Sequence, residues 1–107
     1  MKVLITDNAN NDIREFVNFS IASDKNIYSY VHSLLKYIYT LEQFPELGKF
    51  EFKLKTKMNV YFVRKLVYEQ HNILYYIDDK IHIIGIIHSK KDINQYINKL
   101  KKFIDFI

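Results

Sequence analysis

The side chains best suited to chemistry lie in the second half of this chain. They are basic, hydroxyl and imidazole groups, namely Arg64, Lys65, His71, His88, Lys90, Lys91 and Tyr96. Metal-free RNA cleavage needs a base for the 2′-hydroxyl, cations for the charge on the crowded phosphorane and an acid for the leaving oxygen. Imidazole, ammonium, guanidinium and phenol groups can divide these tasks, so the residue types predict a site for phosphate chemistry.

Several of these residues also have a structural interpretation. Arg64 lies inside a strand pattern and can pair with a surface carboxylate, since most surface ion pairs are structural and weak. His88 ends an apolar strand, where an orienting or capping role is more common than catalysis. Tyr96 falls on the apolar stripe of a helix, where aromatic packing is the ordinary role. Both interpretations stay open at the level of sequence.

Other kinds of chemistry have less support. The chain has no cysteine, which excludes disulfides and thiolate sites, and its four histidines lack the spacing of a helical metal pair. It also lacks a glycine-rich phosphate loop and a Gly-x-Ser-x-Gly elbow. We therefore predict no metal and no cofactor. The apolar start is too short for a secretory signal and no window is long enough to span a membrane, which predicts a cytoplasmic protein.

Charge is divided unevenly along the chain. Residues 1–48 carry 4 Lys/Arg against 6 Asp/Glu, whereas residues 49–107 carry 12 against 6. A basic face suits a polyanion because Lys and Arg neutralise phosphates and release counterions. An acidic protein partner or plain solvation would also fit the same charge. Within this half we predict nucleic-acid contacts at Lys53, Lys55, Lys57 and Lys91.

Two hydrophobic periodicities indicate the elements that position these residues. A short strand at 3–6 precedes two helices of three-to-four-residue period, the second capped by Ser23 or Asp24. Pro45 and Gly48 end the second helix. Strands follow from residue 50 and at 60–68, 72–78 and 81–88, and Ser89 opens a terminal helix with Lys90 and Lys91 in its first turn. Strict alternation from residue 50 places Phe50, Phe52 and Leu54 on one buried face.

These elements predict one domain spanning residues 1–107 with an α+β fold. An N-terminal strand and a helical hairpin pack on a curved antiparallel sheet of about four strands, and a C-terminal helix completes the domain.

Three groups of residues in this order resemble the RelE/ParE superfamily of toxins from bacterial type II toxin–antitoxin modules. The opening Thr6-Asp7-Asn8-Ala9 followed by Asp12-Ile13 looks like the start of that family. Leu41-x-x-Phe44-Pro45-Glu46-Leu47-Gly48 is similar to its Leu-x-x-Phe-Pro-x-x-Gly segment. The third group is Arg64, Ile73-Leu74-Tyr75-Tyr76, Asp78-Asp79, the Ile83 to His88 run and Asp92. The resemblance covers essentially the whole chain and implies a growth-inhibiting toxin neutralised by a cognate antitoxin.

The resemblance leaves two targets open. The RelE-like branch cleaves mRNA in the ribosomal A site, and by strand register Lys65, Lys90 and Tyr96 match its catalytic positions, with His88 close by. Together with Arg64, these are the five residues that we predict to be catalytic. Asn72 stands where that branch has an important arginine. The ParE-like branch inhibits DNA gyrase without cleaving nucleic acid. We expect a metal-independent, ribosome-dependent mRNA endoribonuclease, with a gyrase inhibitor, or a degenerate toxin that only binds antitoxin, as alternatives.

Overall fold

The computed structural model describes residues 1–20 and 26–104, with side chains described as far as Lys101. The elements run β1 (Val3–Ile5), α1 (Asp7–Ser20), α2 (Ile27–Tyr39), a short 3₁₀ helix (Thr40–Glu42), β2 (Lys49–Lys55), β3 (Val60–Tyr68), β4 (His71–Ile77), β5 (Ile81–His88) and α3 (Ile93–Ile104). The fold is α+β, as the two periodicities predicted. The predicted cap of the second helix at Ser23 or Asp24 lies outside the described residues.

The sheet has the strand order β1-β5-β4-β3-β2. Strands β2 to β5 pair antiparallel, as their short connections predicted. The sheet nevertheless has five strands and is mixed, because β1 joins its edge and pairs parallel with β5. The Ile81 N–H donates to the Lys2 carbonyl at 2.8 Å and the Thr6 N–H to the Ile83 carbonyl at 3.1 Å, so β5 has a strand partner on both sides as far as Ile83.

A bulge in β2 changes the face that one aromatic side chain occupies. Phe50 pairs with Arg64 and Phe52 with Val63, so Glu51 is an extra residue in β2. The prediction that Phe50 shares a buried face with Phe52 and Leu54 is therefore wrong. A bulge breaks the alternation, and Phe50 is 55% exposed.

The sheet carries a hydrophobic core on each face. Helices α1 and α2 cover one face with a core that contains Ala9, Leu34, Ile38, Leu41, Leu66, Ile73, Tyr75, Ile81, Ile83 and Ile86. Helix α3 covers part of the other face. The core there contains Tyr96 and Leu100 of α3 and, from the sheet, Leu54, Val63, Leu74, Ile84 and Ile87. No helix among the described residues is long and apolar enough to cross a membrane.

Helix α3 begins later than Ser89. The Asp92 carboxylate accepts a hydrogen bond from the Asn94 N–H at 2.8 Å, which is the geometry of an N-cap. The predicted cap at Ser89 is wrong, because the Ser89 N–H instead donates to the Gln70 carbonyl at 2.8 Å. Lys90 and Lys91 consequently lie in the turn between β5 and α3 rather than in the first turn of the helix.

Candidate functional site

Arg64 fastens the segment at residues 45–48 to the sheet. Its guanidinium donates to the Gly48 carbonyl at 2.6 Å. The buried Tyr75 hydroxyl binds the same segment, accepting from the Gly48 N–H at 2.8 Å and donating to the Pro45 carbonyl at 2.7 Å. Burial raises the pKa of Tyr75, so its hydroxyl stays protonated at neutral pH and keeps donating. We call Pro45, Gly48, Arg64 and Tyr75 the seam contacts; they give the arginine a structural role.

Polar side chains of α1 form hydrogen bonds with the backbone of β5 where that strand has no neighbouring strand. Strand β1 ends at Ile5, so the later residues of β5 have no strand partner on that side. The Asn8 amide donates to the Ile84 carbonyl at 2.8 Å, and the Asp12 carboxylate accepts from the Ile86 N–H at 2.9 Å. Buried backbone groups must find partners, and these two side chains supply them where the ladder stops.

Tyr96 joins this edge from α3 and is almost fully buried, with 9% of its surface exposed. Its hydroxyl donates to the Asp12 carboxylate and accepts from the Asn8 amide at 3.0 Å. Lys99 lies outside the pair, with its ammonium 3.6 Å from Asp12. Burial raises the pKa of both Asp12 and Tyr96. Strand β5 has a bulge here, because Leu74 pairs with Gly85 and Tyr75 with Ile83, which leaves Ile84 as an extra residue. We call Asn8, Asp12 and Tyr96 the bulge network; the phenol in it is engaged rather than free to donate a proton to a substrate.

Two histidines face each other at the end of the sheet. His71 pairs with His88 across β4 and β5, and their rings meet edge to face with centroids 5.4 Å apart. The Tyr30 hydroxyl of α2 lies 2.6 Å from His71 Nδ1. Burial, with smaller effects of His88 and Lys91, lowers the pKa of His71 to about 4. Burial likewise raises the pKa of Tyr30 to about 12. At neutral pH both groups are uncharged, and we assign the phenol as donor to Nδ1.

His88, Lys90 and Lys91 lie together where β5 passes into the turn before α3. The Lys90 backbone N–H donates to His88 Nδ1 at 3.1 Å, which leaves the proton of a neutral ring on Nε2. Lys90 and Lys91 are exposed beside it. We call these three residues with His71 the histidine cluster. One N–H donor and two ammonium groups can bind a phosphate or a carboxylate.

The structure does not bring the five predicted catalytic residues into one site. Arg64 and Lys65 are neighbours on β3, and successive side chains of a strand point to opposite faces. Lys65 is paired with Glu51 at 3.5 Å. From strand spacing and rise, the Cα atoms of Lys65 and His88 are roughly 14 Å apart. Arg64 bonds to Gly48, Lys65 to Glu51 and Tyr96 to Asp12, so of the five only His88 and Lys90 adjoin each other away from these contacts.

The predicted nucleic-acid contacts also divide. Lys53, Lys55 and Lys57 are exposed together on β2 and the turn after it, whereas Lys91 lies in the histidine cluster. The lysines of β2 have aromatic neighbours that the sequence analysis missed, because Phe50 and Phe62 are 55% and 56% exposed. Alternation with the buried Val63 was a signal for Phe62. Phe50 had no such signal, since its face depends on the bulge.

Potential metal ligands occur at the β4–β5 turn. Ligand atoms of Asp78, Asp79 and His82 lie within 4.8 Å of one another. The His82 Nε2 already bonds to Asp78 at 2.7 Å, and the hydrogen bond from the Lys80 N–H is the main reason that the pKa of Asp78 falls to about 2. These contacts give Asp78 and His82 partners within the protein, and the predicted absence of a metal stays a prediction.

The predicted catalytic residues thus lie in different places: Arg64 in the seam contacts, Tyr96 in the bulge network, His88 and Lys90 in the histidine cluster, and Lys65 beside Glu51. Arg64 and Tyr96 are hydrogen-bonded within the protein, whereas Lys90 and Lys91 of the histidine cluster are exposed. No protein-family model matches this chain, and no curated protein is significantly similar to it.

Proposed function

We propose that the chain is the toxin component of a bacterial type II toxin–antitoxin module, acting in the cytoplasm and neutralised by a cognate antitoxin. The proposal is supported by the roles of the residues that resemble the RelE/ParE family. Gly48 and Arg64 join the hairpin to the sheet, Asp12 completes β5, and Asp92 caps α3. Each of these motif residues stabilises a different contact between secondary-structure elements, as expected if the chain shares the fold of that family.

The proposed toxin acts by binding its target, and the ParE-like branch makes DNA gyrase the expected target. The observation that carries this choice is the separation of the predicted catalytic residues. RNA cleavage needs base, cation and acid within hydrogen-bond reach of one phosphate. Here Arg64 and Lys65 occupy opposite faces and the Tyr96 hydroxyl is bonded to Asp12. Groups arranged in this way do not surround a single phosphate.

Ribosome-dependent mRNA cleavage is the second candidate, and the histidine cluster favours it. His88, Lys90 and Lys91 place an imidazole and two ammonium groups in a single turn, next to the neutral His71. A small set of this kind can bind a phosphate, and residues of the ribosome would have to complete the chemistry.

Two assays run side by side test this proposal. Purified wild-type chain is added to gyrase with relaxed plasmid and, separately, to translating ribosomes. Inhibited supercoiling with intact mRNA is the expected result, whereas cleaved mRNA with normal supercoiling would make the nuclease the correct candidate. His88→Gln should abolish cleavage if cleavage occurs. The exposed Lys36 on α2, changed to Gln, is the matched control because it lies on a different element.

The antitoxin is expected to lay an amphipathic helix or strand across the sheet and the helical hairpin. Co-expression of the product of the neighbouring reading frame should restore growth after induction of the toxin. Induced, folded chain that leaves growth unaffected would contradict both toxic activities and favour a degenerate module that only binds antitoxin.

A further inference from the structure

One strip of the sheet surface lies outside both cores. In the β2–β3 pair, Phe50 is opposite Arg64, Lys53 opposite Phe62, and Lys55 opposite Val60. Residues directly opposite each other share a face. We call Phe50, Lys53, Lys55, Val60 and Phe62 the β2–β3 platform. None of the five belongs to either core cluster of the described residues.

The platform exposes aromatic rings that folding alone does not require. Phe50, Phe62 and Val60 are 55%, 56% and 48% exposed. The two phenylalanine rings neighbour each other, with centroids 6.4 Å apart. The opposite face of the same hairpin carries the fully buried Leu54 and Val63, so the hairpin already has a core side. Adjacent exposed aromatic residues are typical of a binding surface.

The charge around these rings is positive. The Lys53 ammonium lies 5.6 Å from the centroid of the Phe62 ring, and Lys55 and Lys57 are exposed beyond it. The nearest acidic residue of β2, Glu51, is paired with Lys65 at 3.5 Å. Lysines and flat rings therefore alternate on one surface.

We propose that the β2–β3 platform binds single-stranded nucleic acid. Unpaired bases stack on Phe50 and Phe62, while Lys53, Lys55 and Lys57 pair with the phosphates on either side. Aromatic side chains on a sheet bind any exposed base because every base has a flat π face, and neighbouring cations follow the backbone. An acidic peptide would use the same lysines, but the Asp and Glu side chains that pair with them carry no ring to stack on Phe50 and Phe62.

This inference does not rest on the proposed toxin activity. The platform is on β2 and β3, whereas the histidine cluster is formed by β4, β5 and the turn after β5. Binding to an oligonucleotide is measured with the purified chain alone, so its failure would leave the outcome of the gyrase and ribosome assays unaffected.

Fluorescence anisotropy with fluorescein-labelled dT12 and U12 tests the platform. Phe62→Leu and Phe50→Leu should each weaken binding at least about fivefold, the lower limit expected for losing one stacked base. Three phosphate contacts predict that the logarithm of the binding constant falls with the logarithm of the salt concentration with a slope near −2. Each of K53Q and K55Q should make this slope shallower by about 0.7. The matched controls are Phe19→Leu, an 89% exposed phenylalanine on α1, and K36Q, which should both bind as the wild type does.

Three results would overturn the proposal. One is binding by F62L equal to that of wild type; another is duplex DNA bound as tightly as the single strand. The third is competition by polyglutamate as effective as by unlabelled dT12 at equal charge, which would make the surface a site for acidic peptides. Urea unfolding of each variant confirms that the fold is intact, since both phenylalanines are largely exposed.

Discussion

The bulge network and the β2–β3 platform both lie where a strand departs from regular pairing, yet they differ in what their side chains contact. Asn8, Asp12 and Tyr96 direct their polar groups at one another and at the backbone of β5. Phe50 and Phe62 direct their rings at solvent. The polar groups of the bulge network are used in bonds within the fold, whereas the rings of the platform are available to a partner.

This difference changes which residues are expected to carry function. Arg64 and Tyr96, selected by resemblance and by residue type, are held by internal hydrogen bonds. Phe50 and Phe62 contact each other but belong to neither core cluster of the described residues. Substitutions in the bulge network and the seam contacts should therefore change the free energy of unfolding, and substitutions in the platform should change binding alone.

The largest effect is expected at Gly85. A Cβ atom there would lie 2.6 Å from Cε1 and 2.8 Å from Cζ of Tyr96, so Gly85→Val should lower the free energy of unfolding by about 3 kcal/mol, the upper end of the usual cost of overpacking. Valine otherwise favours strands, which isolates the clash as the cause. Urea unfolding in a Tyr96→Leu background is the control. If Gly85→Val lowered the free energy of unfolding equally with and without the tyrosine ring, the clash with Tyr96 would not be the cause.

His71 should produce the next effect through pH. Its pKa falls from an ordinary 6.5 to about 4 in the fold, so below pH 6.5 the unfolded chain takes up a proton that the folded chain does not. Stability contributed by His71 is complete above that pH and is lost as the pH falls toward 4, by up to about 3 kcal/mol.

Urea unfolding at a series of pH values measures this loss. His71→Gln should remove most of the change between pH 6.5 and 4, whereas His32→Gln, an exposed histidine on α2, should keep it. The same pH profile for H71Q and wild type would show that His71 is not a buried neutral residue.

Tyr75→Phe tests the seam contacts. Removing the hydroxyl leaves the Gly48 N–H and the Pro45 carbonyl without their partner, and a buried group left unpaired costs about 2 kcal/mol. Tyr39→Phe, at a 48% exposed position, should cost little. A loss of stability no greater for Y75F than for Y39F in urea unfolding would show that the seam contacts do not stabilise the fold.

The smallest effect is expected on the platform. F50L and F62L should each change the free energy of unfolding by less than about 0.5 kcal/mol, as surface substitutions do. The urea or guanidinium concentration at which half of the protein is unfolded measures this change. A cost above about 2 kcal/mol for either variant would assign the rings to the fold and weaken the contrast between the two regions.

Most of the elements could be predicted from hydrophobic periodicity. The strands at 60–68 and 81–88 were predicted with the bounds that the structure has, since each is a long run of β-branched and aromatic residues. The pairing of β1 with β5 could not be predicted, because three apolar residues carry no signal of a partner 78 positions away, as Val3 and Ile81 are.

The candidate site was less predictable than the fold. That Arg64 and Lys65 lie on opposite faces of the sheet could have been predicted from sequence, because successive side chains of a strand alternate between faces. The partners of His71 and Tyr96 were not, because Tyr30 and Asp12 reach them from helices 41 and 84 residues away. The bulge at Glu51 depends on the register with β3, so no pattern within β2 could reveal that Phe50 is exposed.

The most direct test of the proposed mode of action is a titration of DNA gyrase with the purified chain. Inhibition by binding predicts that supercoiling falls as the chain approaches the concentration of gyrase, and that half-inhibition moves upward when more gyrase is used. mRNA on translating ribosomes should stay intact at the same concentrations. Unimpaired supercoiling, with mRNA cut by substoichiometric chain, would show that the protein is a nuclease and not an inhibitor that acts by binding gyrase.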